Sequence, residues 1–170
     1  SSSFITMAMQ NYYDNDLEFI SIDKKNVNDP KYSDGKQISA LNKLLKLNIS
    51  PFYKFITADS LMFMKSEKKN NKKYDLIFLD GDHSSSHVFY EISDSLNILN
   101  KGGIIILHDY FPGGQFLWKK SFPILGPYLA VKKIIKLNKN LLLRPLGELP
   151  WQTKLDSKKS SLALLFQKPN

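Results

Sequence analysis

Two short runs carry the residues with the most chemistry, FLDGDH (Phe78 to His83) and LHDY (Leu107 to Tyr110). Each puts an aspartate, Asp80 or Asp109, at the end of an apolar stretch. Hard cations such as magnesium take carboxylate oxygens and keep several waters, so Asp80 and Asp109 are a candidate pair of metal ligands. His83 stands three residues past Asp80. A neutral imidazole on that lip can take the proton of a substrate hydroxyl whose oxygen a metal polarises. Plainer roles compete for the neighbouring residues. His83 can cap a helix opening at Ser84, Asp82 can satisfy the amides of its own turn, and His87 reads as solvent-facing or as the i, i+4 partner of Glu91. His108 is expected to point into the surroundings of the sheet rather than at a ligand.

These residues need a scaffold, and the hydrophobic pattern supplies one. Short apolar runs of β-rich composition alternate with longer segments of helical period, which argues for an α/β fold with a parallel sheet and crossover helices. Ser1 to Ser3 precede Phe4, Met7, Ala8 and Met9 and read as the capped start of a helix. A strand over Leu17–Ile22 ends at Asp23, and an amphipathic stripe of Ile38, Leu41, Leu44 and Leu45 follows. Phe52–Thr57 is the next strand, leading to Asp59 and Ser60. Leu61 to Met64 can start a helix, and the lysine run Lys65 to Lys73 reads as a loop.

Tyr74–Leu79 is apolar on both faces and is expected to be a buried central strand. Three serines then open a helix through Val88, Ile92, Leu96 and Leu99, stopped by Lys101-Gly102-Gly103. Ile104–Leu107 is a second buried strand. The stretch from Phe111 to Pro127 is rich in glycine, proline and aromatic residues and suits a loop over a site, its Phe111, Trp118 and Phe122, with Tyr128 beyond, as candidate walls for a ligand. A helix over Tyr128–Leu137 and strands at Leu141–Leu143 and Leu162–Phe166 complete the pattern.

Ligands of open α/β sheets bind beyond the carboxyl ends of the parallel strands. Four consecutive strands here end in acids: Asp23, Asp59, Asp80 and Asp109. Like charges gathered on one rim repel unless a hydroxyl-rich ligand or a cation joins them, so a polar ligand and a divalent metal are the expectation.

Composition narrows the setting. A chain of 170 residues with 42% hydrophobic residues has the length and apolar content of one folded domain, and no internal repeat or linker divides it. It has no cysteine, which excludes a disulfide framework and any thiolate zinc site, and it shows no secretory signal or membrane-length apolar run. A cytoplasmic location is the expectation. The net charge is +8, yet all 24 basic residues except Arg144 are lysine. Readers of base edges and phosphates lean on arginine, so the charge points to solvated lysines rather than to a nucleic-acid partner.

The run YDLIFLDGDHSSSHVFYEISDSLNILNKGGIIILHDYFPGG, with LEFISIDKKN, ITADS and the closing SSLALLFQKP, resembles the class I S-adenosylmethionine-dependent methyltransferases. The branch it resembles holds the small-molecule O-methyltransferases of catechol and macrolide-sugar type. That resemblance implies a Rossmann-like methyltransferase fold: a mostly parallel, seven-stranded sheet with one antiparallel strand near the C-terminus. It also implies S-adenosylmethionine as cofactor, with magnesium in the metal-dependent members, and a small-molecule hydroxyl as acceptor. By matching position, Ser3 resembles a serine near the methionine carboxylate, Asp23 the acid that binds the ribose hydroxyls, and Asp59 and Ser60 the pair beside the adenine. Asp80 and Asp109 match the metal ligands, Asp80 also standing on the cofactor side, and His83 matches the general base of the sugar-modifying relatives. Tyr110 stands where the catechol enzymes carry a further asparagine ligand.

The family's first strand and glycine-rich loop precede its first helix, so the resemblance implies a single methyltransferase domain over residues 1–170 whose first strand and loop lie upstream of Ser1. The oligomeric state is left open, a homo-oligomer included. Two alternatives remain at this level. Asp80-Gly81-Asp82 resembles the metal-binding DxD of nucleotide-sugar glycosyltransferases, and a degenerate methyltransferase fold can serve as a non-catalytic subunit. RNA methylation is a third, raised only by the charge.

Overall fold

The computed structural model describes residues 18–26, 53–115, 122–152 and 158–168. The expected helices at the N-terminus and over 38–45 lie outside these residues, as do Ser3 and Trp118. The chain falls into two compact units, Ser1–Met62 and Phe63–Asn170.

In the first unit, β1 (Phe19–Asp23) pairs in parallel with β2 (Tyr53–Thr57), in a register that sets Asp23 opposite Thr57. Alternation explains the packing: Phe19, Tyr53 and Phe55 cluster, with the Phe19 and Tyr53 rings 5.6 Å apart and Tyr53 buried. Lys54 on the other face pairs with Glu18.

The first helix among the described residues, α1, spans Ser60–Lys69 and therefore continues into the lysine run expected to be a loop. Lysine and glutamate are good helix formers, and Lys68 and Lys69 fall in the last turn, where cations complement the helix dipole. Glu67 reaches forward to the Tyr74 hydroxyl and ties the end of α1 to the strand that follows.

The second unit holds β3 (Tyr74–Leu79), α2 (Ser85–Ile98), β4 (Leu99–Leu107), α3 (Gly126–Leu137), β5 (Leu141–Pro145) and β6 (Ala163–Gln167). The sheet order is β3-β4-β6-β5, with β4 parallel to β3 and β6 antiparallel to both its neighbours. This is the mostly parallel α/β sheet with one reversed C-terminal strand that the sequence implies.

Two local expectations fail for identifiable reasons. α2 stops at Ile98, and β4 begins at Leu99, so Lys101-Gly102-Gly103 lies inside a strand instead of ending a helix. The register slips between Tyr74 and Leu76 at this point, and Gly102, at φ +82°, supplies the left-handed residue of the irregularity. Among the described residues β3 pairs with β4 alone, and Leu76 on it is 49% exposed where a buried strand was expected.

One face of the sheet is sealed by α2 and α3. Ile105, Leu107, Ala163 and Leu165 alternate inward along β4 and β6 and meet Val88, Ile92, Ala130 and Val131, all nearly inaccessible to solvent. Burying a residue such as Ile92 stabilises the fold by about 1.5–3 kcal/mol. That packing sets the height of both helices over the sheet, and with it the position of the loop between β3 and α2. Among the described residues no helix is long and apolar enough to cross a membrane.

Candidate functional site

Parallel pairing of β3 with β4 brings Leu79 opposite Leu107, so the residues that follow them, Asp80 and His108, leave the sheet side by side. The His108 amide donates to the Leu79 carbonyl at 3.0 Å and holds the two strand ends together. The next residue, Asp109, turns back at φ +52°, a left-handed conformation that aspartate tolerates better than most residues. The Tyr110 amide then donates to the Ser161 carbonyl at 2.8 Å, fixing the exit of the chain against the approach to β6.

The result is a cluster of four side chains. Asp109 is buried and presents its two oxygens to two imidazoles: Oδ2 lies 2.9 Å from His83 Nε2 and Oδ1 lies 3.2 Å from His108 Nδ1. His108 Nδ1 is also 2.8 Å from Asp80 Oδ1. That nitrogen is buried and faces both carboxylates. The contact is one of charge and proximity. The adjacent Asp80 carboxylate holds the His108 imidazole above the usual histidine range, while partial burial acts in the opposite direction. Asp80, His108 and Asp109 each offer one potential ligand atom, the three atoms lying within 4.8 Å of one another.

The structure therefore brings together Asp80, Asp109 and His83 and adds His108, which sequence reasoning had turned toward the surroundings of the sheet. Its ring does pack near Phe78, with centroids 6.2 Å apart, but Nδ1 faces the two carboxylates. The signal that could have found it is register: once β3 and β4 are parallel neighbours, positions 80 and 108 must adjoin.

His83 does not cap α2. Ser84 stands at the N-cap, and Asp82 Oδ1 accepts from the Ser84 amide at 2.6 Å, the turn-forming role expected of it. His87 is not solvent-facing: its Nε2 lies 3.4 Å from Glu91 Oε1, and Glu91 is buried beneath the loop carrying Asp80 and His83. The loop is seated from the other side by Gly126. A Cβ there would fall 1.8 Å from the His83 carbonyl oxygen, so the start of α3 rests directly on the backbone of His83.

Beside His108 opens a cavity of about 280 Å³ lined by Phe78, Leu149, Lys159, Ser160, Ser161 and Leu162. Its walls differ from those expected. Phe122 is 94% exposed, and Tyr128 packs edge-on against Tyr110, their centroids 5.8 Å apart. Burial pushes the Tyr110 phenol above its ordinary range, with Tyr128 adding to the effect.

The remaining strand-end acids belong to the first unit. Asp23 Oδ1 accepts from the Lys25 amide at 2.8 Å, and its carbonyl accepts from Ala58 at 2.9 Å. Asp59 caps α1, accepting from Leu61 and Met62 at 3.0 and 3.1 Å, and its Oδ2 meets Lys24 Nζ at 3.0 Å. The Lys24 ammonium, followed by the Met62 amide, holds the Asp59 carboxyl below the usual aspartate value. Ser60 is the first residue of α1.

A family model described as a methyltransferase domain matches residues 1–110. No curated protein matches the chain. Among solved structures, a Corynebacterium glutamicum protein superposes with a TM-score of 0.66 at 15% identity, covering 99% of this chain and 69% of that one. The O-methyltransferase TomG of Streptomyces achromogenes, involved in tomaymycin synthesis and solved with SAM, gives 0.65 at 10% identity, covering 99% and 68%. An O-methyltransferase of Bacillus cereus in complex with SAH gives 0.60 at 13% identity, covering 89% and 63%.

Proposed function

Because the chain belongs to the methyltransferase-domain family, we propose that it transfers a methyl group from S-adenosylmethionine to a hydroxyl of a small molecule, with His83 as the base and a divalent cation on the carboxylates of Asp80 and Asp109. The observation that carries this reading is the convergence of His83, Asp80, His108 and Asp109 at the carboxyl ends of two adjacent parallel strands. The cofactor is supported by two of the fold's relatives, solved with SAM and with SAH.

Methyl transfer to oxygen is an in-line displacement: the hydroxyl oxygen forms a bond to the methyl carbon as the carbon–sulfur bond breaks, and the hydroxyl proton must leave. Much of the catalysis is alignment and exclusion of water. The Asp109 carboxylate accepts from His83 Nε2–H, which leaves Nδ1 as the atom that takes the acceptor's proton. The same contact stabilises the imidazolium that results. Asp23 is suited to accept hydrogen bonds from vicinal ribose hydroxyls, and Asp59 and Ser60 stand at the start of a helix beside it in the same unit. In this reading residues 1–170 act as one methyltransferase domain, since the family match runs through both units.

The donor set fits a cation. Two carboxylate oxygens and an imidazole nitrogen lie within 4.8 Å of one another. When bound there, a dication would polarise and acidify the acceptor hydroxyl. The acceptor is a small molecule, with the cavity beside His108 as its seat; its volume is near the lower end of the roughly 300–1,000 Å³ usual for ligand pockets. The absence of cysteine supports a reducing, cytoplasmic setting.

Calorimetry on the natural full-length protein with S-adenosylhomocysteine, followed by turnover of S-adenosylmethionine over a panel of phenols and sugars, tests the reading. Binding and turnover support it. Binding with no turnover points to a non-catalytic subunit, and stabilisation by a UDP-sugar with manganese in place of S-adenosylhomocysteine would overturn it.

A further inference from the structure

We infer that the acceptor carries a carboxylate, and that Lys159, flanked by Ser160, recognises it in the cavity beside His108. The inference rests on the methyl-transfer reading above and deepens it, because it names the chemical class of the acceptor: a small hydroxylated carboxylic acid.

The cavity owes its walls to a ribbon that continues the pairing of β5 with β6 past the sheet. The Leu146 amide donates to the Leu162 carbonyl at 2.9 Å, the Ser160 amide to Gly147 at 2.6 Å and the Leu149 amide to Lys158 at 2.9 Å, while Glu148 and Lys159 form an antiparallel bridge. The Tyr110 amide, bonded to the Ser161 carbonyl, ties this ribbon to the turn at Asp109. Leu149, Lys159 and Ser160 are thereby carried to the strand ends where Phe78 and His108 complete the wall. A wall held by its own backbone hydrogen bonds needs little further ordering when a ligand arrives.

Charge is the next argument. His108 stands between two spaces of opposite character. On one side a narrow cleft is lined by Asp80, Asp82 and Glu91 together with His83. On the other, among the described residues, the 280 Å³ cavity has Lys159 on its wall and no acid. A cation without a neighbouring carboxylate, in a partly enclosed and largely apolar space, is the complement of an anion. Ser160 adds a donor: its Oγ already accepts from the Leu162 amide at 3.0 Å, which leaves the hydroxyl proton to a ligand.

The two ends of an acceptor are thus told apart. Asp80 and Asp109 repel an acid at the His83 end, or with a dication between them are at best neutral toward it, whereas Lys159 attracts it. The hydroxyl is left to face His83, and Phe78, Leu149 and Leu162 offer apolar surface to the body between. Glu148 stands across the bridge from Lys159, but both residues are exposed, and ion pairs between exposed groups are weak enough for a ligand carboxylate to displace.

The test is calorimetry on the natural full-length protein, in the presence of S-adenosylhomocysteine, titrated with a dihydroxybenzoate and, separately, with its amide, which differs in charge but hardly in shape. The acid is expected to bind about tenfold more tightly or better, as a hydrogen bond to a charged group provides. Lys159→Gln should bring acid and amide to near equality, and Lys159→Arg should keep the preference. Lys136→Gln takes the same charge from the exposed face of α3 and should leave the preference unchanged.

Equal binding of acid and amide by the wild type, binding of neither, or a preference that survives Lys159→Gln would each overturn the inference. Methyl transfer is judged apart from it. Binding of S-adenosylhomocysteine with no preference for the acid leaves the methyl-transfer reading standing without this inference, and a preference for the acid with no S-adenosylhomocysteine binding upholds Lys159 as the carboxylate site while overturning methyl transfer.

Discussion

His83 Nε2 and Asp109 Oδ2 meet at 2.9 Å although 26 positions separate them in the chain. The same carboxylate turns its other oxygen to His108, so one buried acid organises both imidazoles of the cluster. His83→Ala is therefore expected to lower turnover by about 10²- to 10⁴-fold, the usual contribution of a general base, while affinity for S-adenosylhomocysteine stays nearly unchanged. Steady-state kinetics beside calorimetry distinguishes the two. Equal loss of both would mean that His83 serves the cofactor and not the proton.

Gly126 carries a prediction about position. Its substitution by alanine would drive a Cβ into the His83 carbonyl, a backbone group that cannot step aside as a side chain can. Gly126→Ala should cost about 1–3 kcal/mol of stability by overpacking and should also displace His83 from Asp109. Denaturant unfolding reads the first effect, and a crystal structure of the variant reads the second. A variant of wild-type stability with the 2.9 Å contact intact would show that α3 does not seat the loop.

Ile92, fully buried between α2 and the sheet, is the matching control in the core. Ile92→Ala removes apolar contacts without touching the cluster and is expected to destabilise by about 2–5 kcal/mol, the range for large-to-small core changes. Urea titration measures it. A cost below about 1 kcal/mol would contradict the packing of α2 described above.

The pH dependence expected at Asp59 follows from its lowered pKa. A carboxyl that is more acidic folded than unfolded contributes stability above its unfolded value of 3.8, and that contribution is lost as pH falls through the lower folded value. Asp59→Asn keeps the helix cap but removes the charge facing Lys24. Amide exchange at Leu61 and Met62 should be faster in the variant near neutral pH, with the difference closing in acid. A difference that persists unchanged to low pH would exclude the ion pair as its source.

Much of this molecule was legible from local pattern. The strands at β1, β2, β3 and β6 start or end within one or two residues of the apolar runs, and the acids that end or follow β1, β2 and β3 could be named from those runs alone. Hydrophobic period and strand length are local properties, so they survive without a fold. Asp80, His83 and Asp109 could be singled out for the same reason, as polar residues just past apolar strands.

What the sequence could not decide was set by register and packing. Whether Lys65–Lys69 is helix or loop depends on α1 having a cap at Asp59 and an anchor at Tyr74. Whether Lys101–Gly103 ends a helix or bends a strand depends on the pairing of β4 with β3. The clearest case is His108. Alternation along one strand says only that it faces away from Leu107; that its Nδ1 lies beside Asp80 and Asp109 required the parallel register of β3 with β4 and the left-handed turn at Asp109. Those are contacts between segments about 28 residues apart in sequence, and they exist only once the chain has closed on itself.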